Sequence, residues 1–421
     1  MPAQDVLVIG LGYVGLPLAV EAARAGFRVT GYDTSAAIAA GLNAGRSHVD
    51  DVSGEQVAAA RARGFRATAD EAGIGPQDVI VICVPTPLSE ADGPDLRAVR
   101  AAAQTAGRLL RPGMLVSLES TTYPGTTDEV LRPLLEKVSG LTAGIGFSLV
   151  FSPERIDPGN PEYGLVNTPK IIGGVTPSCA DAAAAFYGEI CQRVVRAASA
   201  REAEMAKLLE NTYRHVNIAL VNEMAIFCRE LGVDLHDAIR CAATKPFGFA
   251  PFYPGPGVGG HCIPIDPNYL SYKVRTLGYP FRFVELAQEI NGRMPGYVTE
   301  RAAELLNRNA QPVNGARVLL LGVTYKRDIA DERESPARPI ARRLRARGAA
   351  VTYHDPYVPA WQVDGQDVPR ESDLPAAVAA ADLVIVLQAH RDYDLPRIAA
   401  CARLLLDTRG VAPAGPRVEA L

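Results

Sequence analysis

The apolar run Asp5-Val6-Leu7-Val8-Ile9 opens directly into Gly10-Leu11-Gly12-Tyr13-Val14-Gly15. A run of that length and residue type predicts a buried parallel strand. Pro17 to Gly26 then has helical spacing and a glycine stop, and Phe27 to Asp33 reads as a second strand ending in an acid. Strand, glycine loop, helix and strand-end acid together are the fingerprint of a dinucleotide-binding α/β fold. Gly10 makes the turn, Gly12 admits a pyrophosphate and Gly15 lets helix pack on strand. The helix N-terminus faces the phosphate charge. Tyr13 and Val14 complete the cofactor loop. Asp33 would accept from a ribose 2′-hydroxyl and repel a 2′-phosphate, which favours NAD over NADP; the plainer reading is a turn acid.

Further strands follow. Asp78 to Val84 leads into Pro85-Thr86-Pro87, and Met114 to Glu119 into a hydroxyl-rich loop, Ser120 to Thr127. Leu149 to Arg155 delivers Glu154. Ligands of open α/β sheets sit at such strand ends. The hydroxyls suit a substrate or cofactor, and equally the N-cap of a helix starting near Asp128. Cys83 reads as core. Ala200 to Leu231 lacks Gly and Pro and stops at Gly232, so it is expected to form one long helix bridging domains. Lys207, Asn211 and Arg214 share a face of it. They form either a solvated face or, being interleaved with Met205, Leu208, Leu209 and Tyr213, a polar cluster turned inward. Thr276 to Pro312 reads as helical with a break at Pro295.

From Asn314 a second strand–loop–helix pattern begins, with strands expected at Val351 to Pro356, Asp382 to Leu387 and Arg403 to Asp407. It lacks the glycine fingerprint, and Val-Thr-Tyr-Lys follows Gly322. It should hold a nucleotide less tightly wrapped than NAD, or none. The chain is thus expected to be α/β: two Rossmann-like doubly wound parallel-sheet domains joined by a long helix in a helical central domain. The boundaries are 1–199 for the NAD-binding domain, 200–300 for the central domain and 313–421 for the second Rossmann-like domain. A chain of 421 residues is long enough for several cores.

Gly255 to Pro267 reads G-P-G-V-G-G-H-C-I-P-I-D-P. Its glycines and prolines exclude a regular element over its length and predict a loop shaped closely around something. It carries Cys262 and Asp266, a thiol and a group able to handle a proton or a water. A buried, inert cysteine is the alternative, and the loop alone leaves both open. The remaining cysteines are scattered without CxxC spacing, seven in all. With no leader ahead of the first strand, they are expected to be reduced thiols in the cytoplasm. A net charge of −4 gives no basic footprint for nucleic acid, and no segment reads as a membrane span. No metal is expected: His261 and Cys262 are adjacent in an extended loop and no further ligand cluster stands nearby.

Taken in order, these motifs resemble the UDP-glucose/GDP-mannose dehydrogenase family over essentially the whole chain. The resemblance rests on Gly10 to Gly15, Val84-Pro85-Thr86-Pro87, Glu119-Ser120-Thr121, Ser152-Pro153-Glu154, Ala206 to Asn211, Gly257 to Cys262, Tyr325 to Asp328 and Arg333-Glu334-Ser335. It implies oxidation of a sugar 6-hydroxyl to a carboxylate by two hydride transfers to NAD, with Cys262 holding a thiohemiacetal and then a thioester. It further implies that Lys207 and Asn211 steady oxyanions and position a water. Asp266 would be a base or water-orienting acid, Glu154 would serve thioester hydrolysis, and Thr121 would lie near the reacting carbon. Thr86, Thr121 and Arg333 match NAD contacts, and Lys326 a substrate-phosphate contact. Arg155-Ile156-Asp157-Pro158 and Thr212-Tyr213-Arg214-His215 resemble the branch oxidising UDP-N-acetylglucosamine. Arg214 and His215 would meet an acetamido carbonyl, or else lie at a dimer contact. Glu154, Arg155, Lys207, Asn211, Tyr253 and Gly257 join the expected substrate set. The expected assembly is a homodimer through the long helix. UDP-glucose or GDP-mannose dehydrogenases remain the enzymatic alternatives, and a non-catalytic NAD or nucleotide sensor the alternative of another class.

Overall fold

A computed structural model describes residues 4–88, 93–157, 159–260 and 263–421. Cys262 and His261 lie outside the described residues. The chain divides into two compact units, Met1–Glu210 with Asn268–Tyr279, and Asn211–Pro267 with Pro280–Leu421.

The first unit is built on eight strands: β1 Asp5–Ile9, β2 Arg28–Tyr32, β3 Arg66–Thr68, β4 Val79–Ile82, β5 Leu115–Leu118, β6 Ser148–Phe151, β7 Lys170–Gly174 and β8 Val194–Arg196. Their order is β3-β2-β1-β4-β5-β6-β7-β8. β1, β4 and β5 are buried along nearly their whole length, which is why they read as continuous apolar runs. The order reverses between β1 and β4, the switch point at which ligands of such sheets bind beyond the strand ends. Neighbouring strands are parallel except β6 and β7, which pair antiparallel. Helix Gly15–Arg24 follows the glycine loop and buries its apolar face beside the sheet.

The second unit carries a five-stranded sheet, ordered β10-β9-β13-β14-β15. Its strands are β9 Arg317–Leu321, β10 Ala350–His354, β13 Leu383–Val386, β14 Leu405–Asp407 and β15 Val418–Ala420, all parallel. A short hairpin, β11 Gln362–Val363 and β12 Gln366–Asp367, lies outside it. The two doubly wound sheets and the intervening helices match the fold class expected from the sequence.

Two expectations need correction. Pro295 does not break its helix: Arg282–Arg308 is continuous with Pro295 inside. Pro295 has no N–H to give the Asn291 carbonyl, and that carbonyl lies 3.4 Å from where a Cβ on Gly257 would stand. Thr299 Oγ1 donates to the Pro295 carbonyl at 2.8 Å, stitching the next turn. Asp266 also belongs to a helix rather than a loop, as the first residue of Asp266–Arg275.

Helix Ala200–Glu230 spans the expected range. Its buried positions include Glu204, Lys207, Asn211, Thr212 and His215, while Met205, Leu209, Tyr213, Leu220 and Phe227 are exposed. Leu208, Val221, Ala225 and Cys228 are buried with the polar groups, so the inward face mixes polar and apolar groups while several large apolar side chains remain outside.

Candidate active site

The three glycines of the first loop have different reasons to be glycine. Gly10 has φ +92°, and a Cβ there would stand 2.6 Å from the Cys83 carbonyl oxygen. At Gly15 a Cβ would meet the Gly10 carbonyl at 1.8 Å. At Gly12 it would meet nothing within 4 Å. The chain's own packing forces the outer two, and the middle one opens onto free space, as a backbone approached by a phosphate must. Asp33 accepts from the Leu11 N–H at 3.0 Å and the Ser35 N–H at 2.9 Å. Its carboxylate braces the loop and keeps further acceptor capacity for a sugar hydroxyl. Tyr13 and Val14 are half-buried against the core below.

The next two strand-end loops are laced together. Thr86 Oγ1 donates to the Thr121 carbonyl at 2.8 Å, and Ser120 Oγ to the Val84 carbonyl at 2.7 Å. Glu204 takes the Gly125 N–H at 2.6 Å, the Thr127 N–H at 2.9 Å and the Thr127 hydroxyl at 2.7 Å. It therefore caps, from another helix, the turn that ends the hydroxyl loop. Burial pushes its carboxyl up to about 7 against the pull of those donors.

Glu154 follows β6 at the same sheet edge. Its Oε1 accepts the N–H groups of Arg155 and Ile156, whereas its buried Oε2 has no hydrogen bond among the described residues. Lys207 Nζ donates to the Glu154 carbonyl at 2.6 Å. Lys170 Nζ lies 3.8 Å from Glu154 Oε2 and 2.8 Å from Glu119 Oε2. Tyr187 donates to Glu119 Oε1 at 2.6 Å. Burial works to strip Lys170 of its proton, but the Glu119 and Glu154 carboxylates outweigh it and hold the ammonium above its usual range. Glu119 is raised by burial, with Lys170 partly opposing. Arg155 pairs with Glu210 at 2.6 Å and donates to the Pro169 carbonyl.

In the second unit the Asn211 amide donates to Asp266, and Arg214 donates to the Asn211 carbonyl oxygen. Asn211 and Asp266 are both buried. His215 is buried beside Asn291, and burial lowers its ring to about 4. Tyr253 is half exposed and stacks on His236 at 5.9 Å. The glycine loop is clamped on the C-terminal half. Gly260 N–H donates to the Arg333 carbonyl at 3.0 Å, and a Cβ on Gly259 would stand 2.5 Å from Tyr325 Cβ. The Arg333 guanidinium pairs with Asp331 at 2.6 Å. Lys326 is half-buried, and its carbonyl takes the Thr324 hydroxyl.

Asp355 ends β10 as Asp33 ends β2. It accepts from Val323 N–H at 2.7 Å and Tyr357 N–H at 2.8 Å, the counterparts of Leu11 and Ser35. His390 Nε2 adds a contact at 3.1 Å on the oxygen that takes Val323. The second half therefore repeats the brace of the first, but a buried imidazole covers the acid where the first unit leaves Asp33 half-exposed.

Thus Glu154 and Lys207 come together in the first unit, Asn211, Arg214 and Asp266 in the second, and Lys207 and Asn211 stand one turn apart on one helix. Glu119, Lys170 and Glu204 were not singled out from the sequence as site residues. Their signal was a lone charge at a strand end, at a strand start and on the inward helix face. Among the described residues no cluster of His, Cys, Asp and Glu could hold a metal, and no helix is long and apolar enough to cross a membrane.

Residues 4–191 match the NAD binding domain of the UDP-glucose/GDP-mannose dehydrogenase family, 201–293 its central domain and 319–414 its UDP binding domain. A UDP-N-acetyl-D-glucosamine 6-dehydrogenase of Pseudomonas aeruginosa is 38% identical over 361 residues, covering 86% of this chain and 84% of that one. Another of that name from Salmonella typhi is 34% identical over 420 residues, covering 97% and 96%. The solved structure of a UDP-D-ManNAc dehydrogenase from Pyrococcus horikoshii superposes with TM-score 0.89 at 32% identity, covering 99% of both chains.

Proposed function

The chain belongs to the UDP-glucose/GDP-mannose dehydrogenase family, NAD-dependent dehydrogenases of nucleotide sugars, and from that membership we propose that it oxidises the 6-hydroxyl of UDP-N-acetylglucosamine to the uronic acid. When bound, NAD supplies the hydride acceptor for each of two successive oxidations. The chain's own residues do the rest. Gly12 admits the pyrophosphate to the loop that Gly10 and Gly15 shape, Asp33 holds the ribose, and Thr86 and Thr121 border the nicotinamide end. Cys262 adds to the aldehyde formed in the first oxidation, giving a thiohemiacetal that keeps it bound while NADH is exchanged. The second oxidation leaves a thioester. Water then adds to its carbonyl carbon, its proton passes to a carboxylate, and the C–S bond breaks with the electron pair leaving on sulfur.

The observation that carries this reading is the buried Asn211–Asp266 pair. Asp266 stands in the same short segment as Cys262, so a base or water-orienting acid lies on the chain that bears the thiol. Lys207, buried one helical turn from Asn211, is the cation available to an oxyanion. Lys326 is assigned to the nucleotide phosphates, and Arg214 to the acetamido group.

The test is NADH formation with UDP-N-acetylglucosamine, UDP-N-acetylmannosamine, UDP-N-acetylgalactosamine, UDP-glucose and GDP-mannose. The highest kcat/KM is expected for UDP-N-acetylglucosamine, with two NADH per sugar. Preference for another sugar moves the substrate and leaves the chemistry, whereas NAD binding without NADH from any of them selects the sensor reading. Cys262→Ser should abolish acid formation, and full turnover by it refutes the covalent step. The exposed apolar stripe of helix Ala200–Glu230 supports a homodimer formed along that helix.

A further inference from the structure

The first sheet is parallel except at one step, and that step delivers a buried cation to Glu154. β6 and β7 pair antiparallel in the register Val150 to Gly174 and Phe151 to Gly173. Continued past the strand ends, the same register sets Lys170, the first residue of β7, opposite Glu154. A parallel β7 would begin at the far edge of the sheet. Lys170 then reaches beyond the intervening strand to Glu119, at the end of β5, 2.8 Å away. The Lys170 ammonium thus lies beside Glu154 Oε2, which has no hydrogen bond among the described residues.

All four charged groups here are nearly or fully buried: Glu119 is 1% exposed, Lys170 4%, Lys207 7% and Glu154 9%. Two carboxylates and two ammonium groups balance. An ion pair at such depth is a poor source of stability, since apolar replacements often do as well. Its presence at a catalytic strand end calls for another role.

We propose that Lys170 is a positioning residue for Glu154, setting its charge beside the carboxylate while leaving Oε2 open, so that Oε2 can take the proton of the water that cleaves the thioester. The inference rests on the enzymatic reading above. Without Lys170, Glu119 and Glu154 would be close, dehydrated carboxylates with only Lys207, on the main-chain side, between them and a shared proton. Other titratable groups facing the cluster are Tyr187 of helix Pro177–Gly188, Cys191 just past it and Cys83 after β4, with Glu21 of helix Gly15–Arg24 acting on Cys191. Burial holds Tyr187 and Cys83 protonated well above their usual ranges, and Cys191 up to about 11. None of these competes as a cation. Arg155 turns its guanidinium to Glu210 instead.

The test is the pH profile of kcat on the full chain with NAD and whichever of the five sugars turns over best. Lys170→Met should move the acid limb up by about one pH unit or more, an opposite charge at this distance being worth roughly 1–3 units. Glu119→Gln should move it down, because Lys170 then serves Glu154 alone. Lys170→Arg should restore the wild-type limb. Intact-protein mass spectrometry of acid-quenched reactions should find a sugar-acyl adduct in Lys170→Met and none in wild type. A purely structural pair would lower melting temperature and kcat in all three variants with the limb unmoved, and that result overturns the proposal. If Lys170→Met does not fold, the downward movement in Glu119→Gln decides: its absence is refutation. Wild-type protein giving no NADH with any sugar removes the enzymatic reading and this inference with it.

Discussion

At the scale of single residues, Gly12 and Gly15 make opposite predictions from the same substitution. Gly12→Ala adds a methyl to empty space, so the fold and melting temperature should be unchanged while NAD affinity falls. Gly15→Ala drives a Cβ into the Gly10 carbonyl, so stability should fall first, and thermal unfolding with and without NAD separates the two. Asp33→Ala should weaken NAD more than the sugar nucleotide in fluorescence titrations, and equal NAD affinity would take Asp33 out of the site. His215 makes a prediction in pH. Its folded value is lowered to about 4, so the unfolded chain binds the extra proton between the ordinary value near 6.5 and about 4. Stability should therefore be full above 6.5 and fall as pH drops through that window, by up to about 3 kcal/mol. His215→Gln should flatten the fall in denaturant titrations at pH 7 and 5, and an unchanged slope would show that the ring ionises freely. The glycine roles and Asp33 were legible because a fixed spacing carries a fixed backbone geometry. Lys170 and Glu119 were not, because their partnership depends on strand order, which no local pattern encodes.

Among the elements, the glycine loop shows how far residue types alone reach. Its content excludes regular structure over Gly255 to Gly260, and the loop there lies against Tyr325 and Glu334. That it would be clamped by the C-terminal half could not be read locally, since the contact joins segments far apart in sequence. Gly259→Ala would set a Cβ 2.5 Å from Tyr325 Cβ and 2.8 Å from the Glu334 carbonyl. The loop must shift, so kcat should drop tenfold or more with melting temperature little changed. Retained kcat would mean that the loop's position is not critical. Pro295 shows the converse limit. A proline within a polar helical stretch predicts a break, yet the helix runs on through Pro295, with the glycine loop packed beside the freed Asn291 carbonyl and Thr299 donating to the Pro295 carbonyl. The rule about proline holds for an isolated helix, and here the helix is held within packed chain.

For the whole molecule, helix Ala200–Glu230 is decisive. Of the apolar positions that fall at helical spacing in the sequence, the fold buries Leu208 and leaves Met205, Leu209 and Tyr213 exposed, while Lys207 and Asn211 turn inward. Periodicity reports that a helix has two faces and not which face is buried. Apolar groups exposed at 213, 220 and 227, from 45% to 54%, recur every seven residues and so lie on one side of a single helix, with exposed Leu231 just past its end. Water does not favour such a stripe, and a second copy related by a two-fold axis would meet it with the same stripe. Under that symmetry each substitution occurs twice in one interface. In the proposed homodimer Leu220→Glu would place two carboxylates in a dehydrated contact, and Phe227→Glu would do the same further along. Either should convert a dimer into a monomer in sedimentation equilibrium at micromolar concentration, with secondary structure retained. If the inward polar face completes the active site only when the helix is held against its partner, the monomers should also lose kcat while still binding NAD to the first unit. Wild-type protein that sediments as a monomer would mean that the stripe serves another contact.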